Sequence, residues 1–219
     1  MVKESAILGY CAAQIDINKI VQALEGGKIR GIAILAGSNN VKYTQDEVLV
    51  TIAKQFRAKD ILCISDGEAS VSLAKYRLLD PARRDKDCGE GVKGLLASLG
   101  DNLPSVIDWN LMDFLLALDA AGSKALADYP ISAYFPEASR TAEVTQAIWT
   151  VAMGVSTYFW PCLPVTGSAK TRQALSDFCR QKFGAKLHVV TQKIDARTKA
   201  GLFLKEIDAP AAMSGKSWE

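Results

Sequence analysis

The sequence lacks the features that would assign it to several specialised classes of protein. Its 219 residues carry a formal net charge of only +2, so there is no electrostatic case for binding nucleic acid or an anionic membrane. Its apolar runs are short and broken, and none reaches the roughly 20 residues that a membrane helix needs. Glu4 interrupts the amino-terminal stretch, which is not typical of a signal peptide. We therefore expect neither nucleic acid nor a membrane as a partner.

Cysteine and histidine are too scarce and too scattered for several kinds of site. The five cysteines are odd in number and no two have CxxC spacing, which argues against a disulfide framework and a local zinc site. Their pattern suits a reducing compartment, so we expect a cytoplasmic protein. His188 is the only histidine, and it lies in an apolar segment without a nucleophile elbow beside it, which favours a structural role over a catalytic one.

What the chain does have is a regular alternation of short apolar segments with longer segments of helical periodicity. The apolar segments are rich in β-branched and aromatic residues on both faces, as in strands buried within a parallel sheet. The predicted strands are 31–36, 61–65, 105–109, 131–135, 156–160 and 187–190, and the predicted helices are 17–25, 45–58, 68–79, 90–99, 110–121, 140–153, 169–183 and 192–207. We predict one α/β domain over residues 1–208, with a doubly wound, mostly parallel sheet of about six strands and helices on both faces, followed by a frayed tail over 209–219.

Ligands of such a sheet bind at the carboxyl ends of its strands. The residues predicted at these ends form a polar rim, and the candidate crevice residues are Ser38, Asn39, Asn40, Glu68, Asn110 and Glu137. The chain has no GxGxxG or GxxxxGK[ST] motif, so AGSNN is a weak phosphate cradle. The asparagines also suit a loop held by its own hydrogen bonds, and this structural role is favoured over ligand binding. Glu68 suits the first turn of a helix, and this role is favoured over that of a general base or metal ligand.

Four segments match one family in the same order. KIRGIAILAGSNNVKYTQD resembles the KIRGVA…GCNNPK…QD segment of nickel–iron–sulfur carbon monoxide dehydrogenases, in the prismane (hybrid-cluster protein) superfamily. The segments TIAKQFRAKDILCISDGEASVSLAKYRLLDP, CGEGVKGLLASLG and PEASRTAEVTQAIWTVAMGVSTYFWPCLPVTGS resemble later segments of the same enzymes. The resemblance covers roughly residues 15–205 and implies that residues 1–208 are the C-terminal, Rossmann-like domain of this family, without its helical and middle domains.

The departures from the family concern the cluster ligands. The resemblance implies that cysteines of the GCNN, TGC and GSCVDN segments ligate the nickel–iron–sulfur cluster. The matching positions here are Ser38, Glu68 and a position between Asn110 and Met112, and the family's cluster-site lysine falls near Thr141. Oxygen and amide groups do not replace thiolate sulfur in such a cluster. We therefore expect a degenerate cluster site with no metal, no other cofactor and no catalytic residue in this chain.

This loss of ligands leads to a functional hypothesis with two alternatives. We predict a stand-alone accessory or scaffolding subunit of a redox or carbon monoxide dehydrogenase-type complex in anaerobic metabolism, which binds a partner subunit or a second copy of itself. Whether the chain is an enzyme stays open, although the lost ligands favour a chain without catalysis of its own. In the first alternative the emptied crevice binds or converts a small molecule, and in the second the chain completes an iron–sulfur oxidoreductase with partner chains.

Two further features bear on these alternatives. Cys88 opens the segment CGEG at a predicted helix start, where a thiolate is stabilised, but a packing role is favoured over a redox or metal pair with Cys162. Arg83, Arg84 and Lys86 form a short basic run that alternates with aspartates, for which a solvated loop is the favoured interpretation.

Overall fold

The structure is a computed structural model that describes residues 15–38, 44, 46–136, 141–159, 167–189 and 195–208. Within these residues the strands form a single six-stranded sheet in the order β3-β2-β1-β4-β5-β6, and every hydrogen-bonded pair of strands is parallel. The strands are β1 (Gly31–Leu35), β2 (Ile61–Ser65), β3 (Val106–Asp108), β4 (Ile131–Phe135), β5 (Ser156–Phe159) and β6 (Leu187–Val189). The predicted doubly wound parallel sheet is therefore confirmed.

Helices cover both faces of this sheet. They are α1 (Ile17–Glu25), α2 (Glu47–Arg57), α3 (Glu68–Lys75), α4 (Glu90–Leu99), α5 (Leu111–Ala121), α6 (Thr141–Ala152), α7 (Ala169–Phe183) and α8 (Ala196–Asp208), with short 3₁₀ helices at Pro81–Arg83 and Leu126–Asp128. Apolar side chains of α2, α3 and α8 pack on one face, and those of α1, α4, α5, α6 and α7 pack on the other. None of the described helices is long and apolar enough to cross a membrane.

The strands are buried on both faces, which explains their nearly continuous apolar sequences. In β1, Ile32 and Ile34 point into the core under α1 and α5, whereas Ala33 and Leu35 point into the core under α2 and α8. All five residues of this strand are buried. A strand with helices on both sides needs apolar residues at every position, so it shows no alternation of polar and apolar residues.

The strand order places a crevice at the carboxyl edge of the sheet between β1 and β4. The chain runs outward from β1 to β2 and β3, and then returns through α5 on the opposite face to begin β4 beside β1. A reversal of this kind between neighbouring strands is where open α/β sheets bind their ligands, at the carboxyl ends of the strands. Ser38 follows β1 at this edge, and Pro136 follows β4.

The ends of some elements differ from the prediction. The second helix begins at Glu47 and not at residue 45, and its N-cap residue is Asp46, with a φ of 65° and no side-chain capping bond. The third helix ends at Lys75, four residues earlier than predicted, because Arg77 adopts a φ of 59° that an α-helix does not accommodate. The predicted helix 169–183 ends as predicted, because Gly184 follows it with a φ of 68° and its amide donates to Arg180 O. The predicted tail lies outside the described residues.

Candidate functional site

The carboxyl edge of the sheet brings together three of the predicted crevice residues. Ser38 lies in the loop after β1, Glu68 is the first residue of α3 after β2, and Asn110 precedes α5 after β3. The three other predicted residues, Asn39, Asn40 and Glu137, lie outside the described residues. Three of the six predicted residues thus lie at the carboxyl edge of the sheet.

Ser38 is turned inward and not toward solvent. Its side chain is buried, and its hydroxyl donates to Glu143 Oε2 of α6 over 3.4 Å. Glu143 is itself only 7 % exposed and was not among the predicted residues. Its spacing could have identified it, because Glu143, Ala147 and Val151 recur every four residues and form the buried stripe of α6. A carboxylate at a core-facing helical position indicates a buried polar contact.

Asp66 is a second carboxylate at this edge that the sequence pattern did not single out as a site residue. Its Oδ2 accepts a hydrogen bond from the Leu111 amide over 3.1 Å and one from Gln146 Nε2 over 3.4 Å. Asp66 therefore links the end of β2 to the first residue of α5 and to α6. Burial raises the pKa of this carboxyl above its ordinary value, the bond from Leu111 opposes that rise, and the charge of Asp108 adds to it.

A hydroxyl pair connects β2 and β3 to α3. Ser70 Oγ lies 2.6 Å from Asp108 Oδ1 and 2.9 Å from Ser65 Oγ. Since a hydroxyl carries one proton, Ser70 donates to the carboxylate and accepts from Ser65. Ser65 and Asp108 are direct neighbours in the β2–β3 register, so Ser70 connects the helix to both strand ends.

Asn110 and Glu68 have positions typical of helix starts. Asn110 is the N-cap residue of α5, and its Oδ1 accepts hydrogen bonds from the amides of Met112 and Asp113 over 3.1 and 3.2 Å. Glu68 is an exposed carboxylate in the first turn of α3, where the helix dipole favours negative charge. Both residues thus contribute to helix geometry at the crevice.

The sequence of this chain is similar to a known protein family over most of its length. The model of the Prismane/CO dehydrogenase family matches residues 2–193. The chain belongs to the prismane/CO dehydrogenase family. Carbon monoxide dehydrogenase 2 of Carboxydothermus hydrogenoformans is 28 % identical and is matched over 94 % of this chain but 34 % of its own length. The carbon monoxide dehydrogenase/acetyl-CoA synthase subunit beta of Moorella thermoacetica is 29 % identical over 78 % of this chain and 27 % of its own length.

Solved structures of the family have the same fold. Carbon monoxide dehydrogenase IV of Carboxydothermus hydrogenoformans superposes with a TM-score of 0.79 and 26 % identity over 90 % of this chain and 33 % of that chain. Carbon monoxide dehydrogenase of Thermococcus sp. AM4 superposes with a TM-score of 0.78 and 27 % identity over 91 % of this chain and 32 % of that chain. The chain thus spans about a third of the length of these relatives.

The described residues do not fit the nickel–iron–sulfur cluster that the family resemblance implies. Ser38, Glu68 and Asn110 offer oxygen and amide groups where such a cluster needs thiolate sulfur. Within the described part of the chain, no group of three or more histidine, cysteine, aspartate or glutamate side chains is arranged to hold a metal ion. At these three positions the described chain presents oxygen and amide groups and no thiolate.

The described cysteines lie away from the crevice rim. Cys63 is fully buried within β2, and burial raises its pKa to about 12. Cys88 precedes α4 at the amino edge of the sheet, where its Sγ donates to Arg84 O over 3.1 Å and burial raises its pKa. This position argues against a role for Cys88 in the crevice. The predicted alternative partner, Cys162, lies outside the described residues.

Proposed function

We propose that this protein is a carbon monoxide dehydrogenase-related accessory or scaffolding subunit without catalysis of its own. The proposal rests on the structural roles of the side chains at the three positions where the resemblance implies cluster cysteines. Ser38 bonds to Glu143, Asn110 caps α5, and Glu68 occupies the first turn of α3. At these positions the side chains support the shape of the domain, and no thiolate is supplied.

The remaining polar contacts of the crevice support the same interpretation. Asp66 joins β2 to α5 and α6, and Ser70 joins α3 to β2 and β3. Each of these bonds connects two different elements at the carboxyl edge. Buried polar groups with satisfied hydrogen bonds fix the relative position of the elements that carry them. We infer that the former cluster region now serves as a structural brace.

Two observations support the proposal of a partner: the nature of the relatives and the described surface. Relatives of about three times its length include a protein named as a subunit of carbon monoxide dehydrogenase/acetyl-CoA synthase. Several large apolar side chains are exposed on the described surface, including Leu116 of α5 at 52 % and Ile148 of α6 at 56 %. Exposed apolar groups of this kind are often covered by another subunit. The proposed partner is a subunit of a redox or carbon monoxide dehydrogenase-type complex, or a second copy of the chain, in the cytoplasm.

Anaerobic purification from the native host tests this proposal. We expect the protein to co-purify with a defined partner or to self-associate, and to carry no stoichiometric nickel or iron. Mass spectrometry identifies the partner, metal analysis measures the cluster content, and light scattering gives the assembly size. A monodisperse monomer that captures no partner would contradict the scaffolding role. Stoichiometric nickel and iron with carbon monoxide oxidation would contradict the non-catalytic assignment.

Two surface variants make the test sharper. Leu116→Glu places a charge on the face covered by α5 and α6, and Leu202→Glu places one on α8, where the side chain is 41 % exposed on the opposite face. Both residues are exposed, so neither change should unfold the domain. We expect Leu116→Glu to disrupt assembly and Leu202→Glu to preserve it. The reverse result would indicate that the interface lies on the face covered by α8.

Binding of a small molecule in the crevice is the second candidate function. The observation that favours it is Asp66, whose raised pKa and position beside Gln146 suit a group that exchanges a proton with a ligand. A metabolite that stabilises the protein against heat should lose this effect in Asp66→Asn, whereas Asp113→Asn, one turn into α5, should retain it. A broad screen without any stabilising metabolite would count against this function.

A further inference from the structure

A basic pocket lies at the amino edge of the sheet, on the side away from the crevice. Its walls come from the last turn of α2, the turn after α3, and the 3₁₀ helix Pro81–Arg83 with the segment that follows it. It has a volume of about 110 Å³, well above the roughly 15 Å³ that a single water molecule needs. Five basic side chains and one acidic side chain line it: Lys54, Arg57, Arg77, Arg83, Lys86 and Asp87. A concave surface with this charge attracts anions.

Arg57 forms the fixed floor of the pocket. It is only 2 % exposed, and its four hydrogen bonds all use Nε and Nη1. The acceptors are two backbone carbonyls, the Ser105 hydroxyl and the Cys88 sulfur, and within the described residues no carboxylate pairs with this guanidinium. The second terminal nitrogen, Nη2, makes none of these bonds. A buried cation without a counter-charge is costly, and a bound anion would supply that charge.

Three further cations stand around this floor. Lys54, Arg83 and Lys86 are exposed, and none of them forms an ion pair with a described carboxylate. Lys54 Nζ lies 5.9 Å from the centre of the Tyr76 ring, which keeps it at the pocket wall. Arg77 differs, because it is already paired with Asp80. The pocket therefore presents one buried and three exposed positive charges to a ligand, against the single negative charge of Asp87.

The segment that carries Arg83 and Lys86 is held in place before any ligand binds. Arg57 Nη1 donates to Lys86 O over 3.4 Å, and Arg84 Nη1 donates to Gly100 O over 3.1 Å. Ser105 Oγ, which receives the bond from Arg57, also donates to Leu78 O. A ligand would therefore meet a pre-organised set of donors, which lowers the entropic cost of binding.

We propose that the basic pocket binds the phosphate group of a small molecule. Arginine presents a planar set of donors that matches phosphate oxygens, and lysine adds a compact charge, so the two together suit a tetrahedral oxyanion. The buried floor strengthens the attraction because it is shielded from bulk water. This inference is independent of the proposed scaffolding role, since it concerns the opposite edge of the sheet.

Titration of the full chain with inorganic phosphate and with adenosine 5′-monophosphate tests the inference. Two-dimensional NMR should show saturable shifts at Arg57 Nε–H and at the amides of residues 54–57, 76–78 and 83–88, whereas chloride at equal ionic strength should produce none. Tighter binding of the nucleotide would assign a phosphorylated metabolite, and equal or tighter binding of phosphate would assign the free ion. Shifts that map elsewhere, or no saturation at millimolar concentrations of either probe, would overturn the inference.

A matched pair of double variants separates a built site from general attraction by charge. Arg83→Gln with Lys86→Gln should weaken binding by at least about tenfold, or about 1.4 kcal/mol. Arg180→Gln with Lys182→Gln removes the same charge from the exposed last turn of α7 and should leave the affinity unchanged. All four residues are exposed, so spectra outside the mutated segments should match those of the unmodified protein. Equal weakening in both pairs would overturn the inference.

Discussion

Close approaches of the backbone explain the two glycines of the segment CGEG. A Cβ atom at Gly89 would lie 2.2 Å from Asp60 Oδ1, and one at Gly91 would lie 1.9 Å from Lys28 O. The same Asp60 oxygen accepts hydrogen bonds from the amides of Gly91 and Val92 over 2.7 and 3.1 Å. The Asp60 carboxylate thus supplies the hydrogen-bond acceptor that these amides in the first turn of α4 lack within the helix. The segment could be recognised in the sequence, but its partners lie about thirty or more residues away along the chain.

Removal of the Asp60 carboxylate should therefore destabilise the protein. We expect Asp60→Ala to lower the free energy of unfolding by about 1–2 kcal/mol, because two amides lose their acceptor and alanine is strained at the φ of 59°. Asp60→Asn should cost much less, since asparagine keeps an acceptor oxygen and tolerates this backbone conformation. Urea unfolding followed by circular dichroism measures both. Equal stability of the two variants would refute the capping role.

Two buried tyrosines should respond in opposite ways to loss of the hydroxyl. The hydroxyl of Tyr134 is buried and has no hydrogen-bond partner among the described residues, so Tyr134→Phe should leave the stability unchanged or raise it by up to about 1 kcal/mol. The hydroxyl of Tyr129 accepts from the Ser123 amide over 2.9 Å and donates to Glu25, so Tyr129→Phe should cost about 1–3 kcal/mol. Thermal unfolding compares them, and a larger loss for Tyr134→Phe would contradict the assignment.

At the scale of elements, one row of side chains crosses the whole sheet on the α2–α3–α8 face. The register places these residues side by side: Asp108, Ser65, Leu35, Tyr134, Tyr158 and His188. Tyr158 and His188 stack with ring centres 4.5 Å apart, and Phe203 of α8 packs edge-on against Tyr134 and Tyr158. The strand prediction for residues 187–190 located His188, but its stacking partner depends on the strand order, which the local pattern does not specify.

The stability of the protein should fall in acid because of His188. Burial, with the positive charges of Lys186 and Arg180, lowers the pKa of His188 to about 4, below its ordinary value of 6.5. The folded state thus favours the neutral ring. This contribution to the free energy of unfolding is complete above pH 6.5 and is lost as the pH falls toward 4. It amounts to at most about 3.4 kcal/mol, at 1.36 kcal/mol per pKa unit.

The single histidine makes this prediction direct to measure. Proton NMR should give a pKa near 4 for the only imidazole of the chain. His188→Phe keeps a stacked ring, and its unfolding free energy should fall less than that of the unmodified protein between pH 6.5 and 4. Carboxylates also titrate in this range, so the difference between the two proteins is the relevant quantity. A measured pKa near 6.5 would contradict the prediction.

The elements were predictable from the sequence to within a few residues, whereas much of the crevice was not. Apolar periodicity depends on neighbours along the chain, so the pattern predicts β2 and α7 with the ends that the structure has. The bonds of Ser38 to Glu143 and of Asp66 to Gln146 join residues 105 and 80 positions apart. These contacts depend on where α6 packs relative to the ends of β1 and β2. No local sequence pattern specifies that position.

At the scale of the whole molecule, α8 completes the fold. The family match ends at residue 193, whereas α8 begins at Ala196. This helix packs against α2, β1 and β4, and its side chains Phe203, Leu204 and Ile207 are buried. The fit is tight, because a Cβ atom at Gly31 of β1 would lie 2.6 Å from Ile207 Cγ2. One core of the protein therefore depends on a segment beyond the family match.

A chain that ends at residue 194 should consequently fail to fold cooperatively, although it retains the whole family match. Burial of Phe203, Leu204 and Ile207 contributes about 1.5–3 kcal/mol each, and their sum is comparable to the 5–15 kcal/mol that separates folded from unfolded states of most proteins. A chain that ends at residue 208 is the matched control and should unfold at nearly the temperature of the full chain. Circular dichroism and limited proteolysis distinguish the two. A sharp transition of the shorter chain within a few degrees of the control would show that α8 is dispensable.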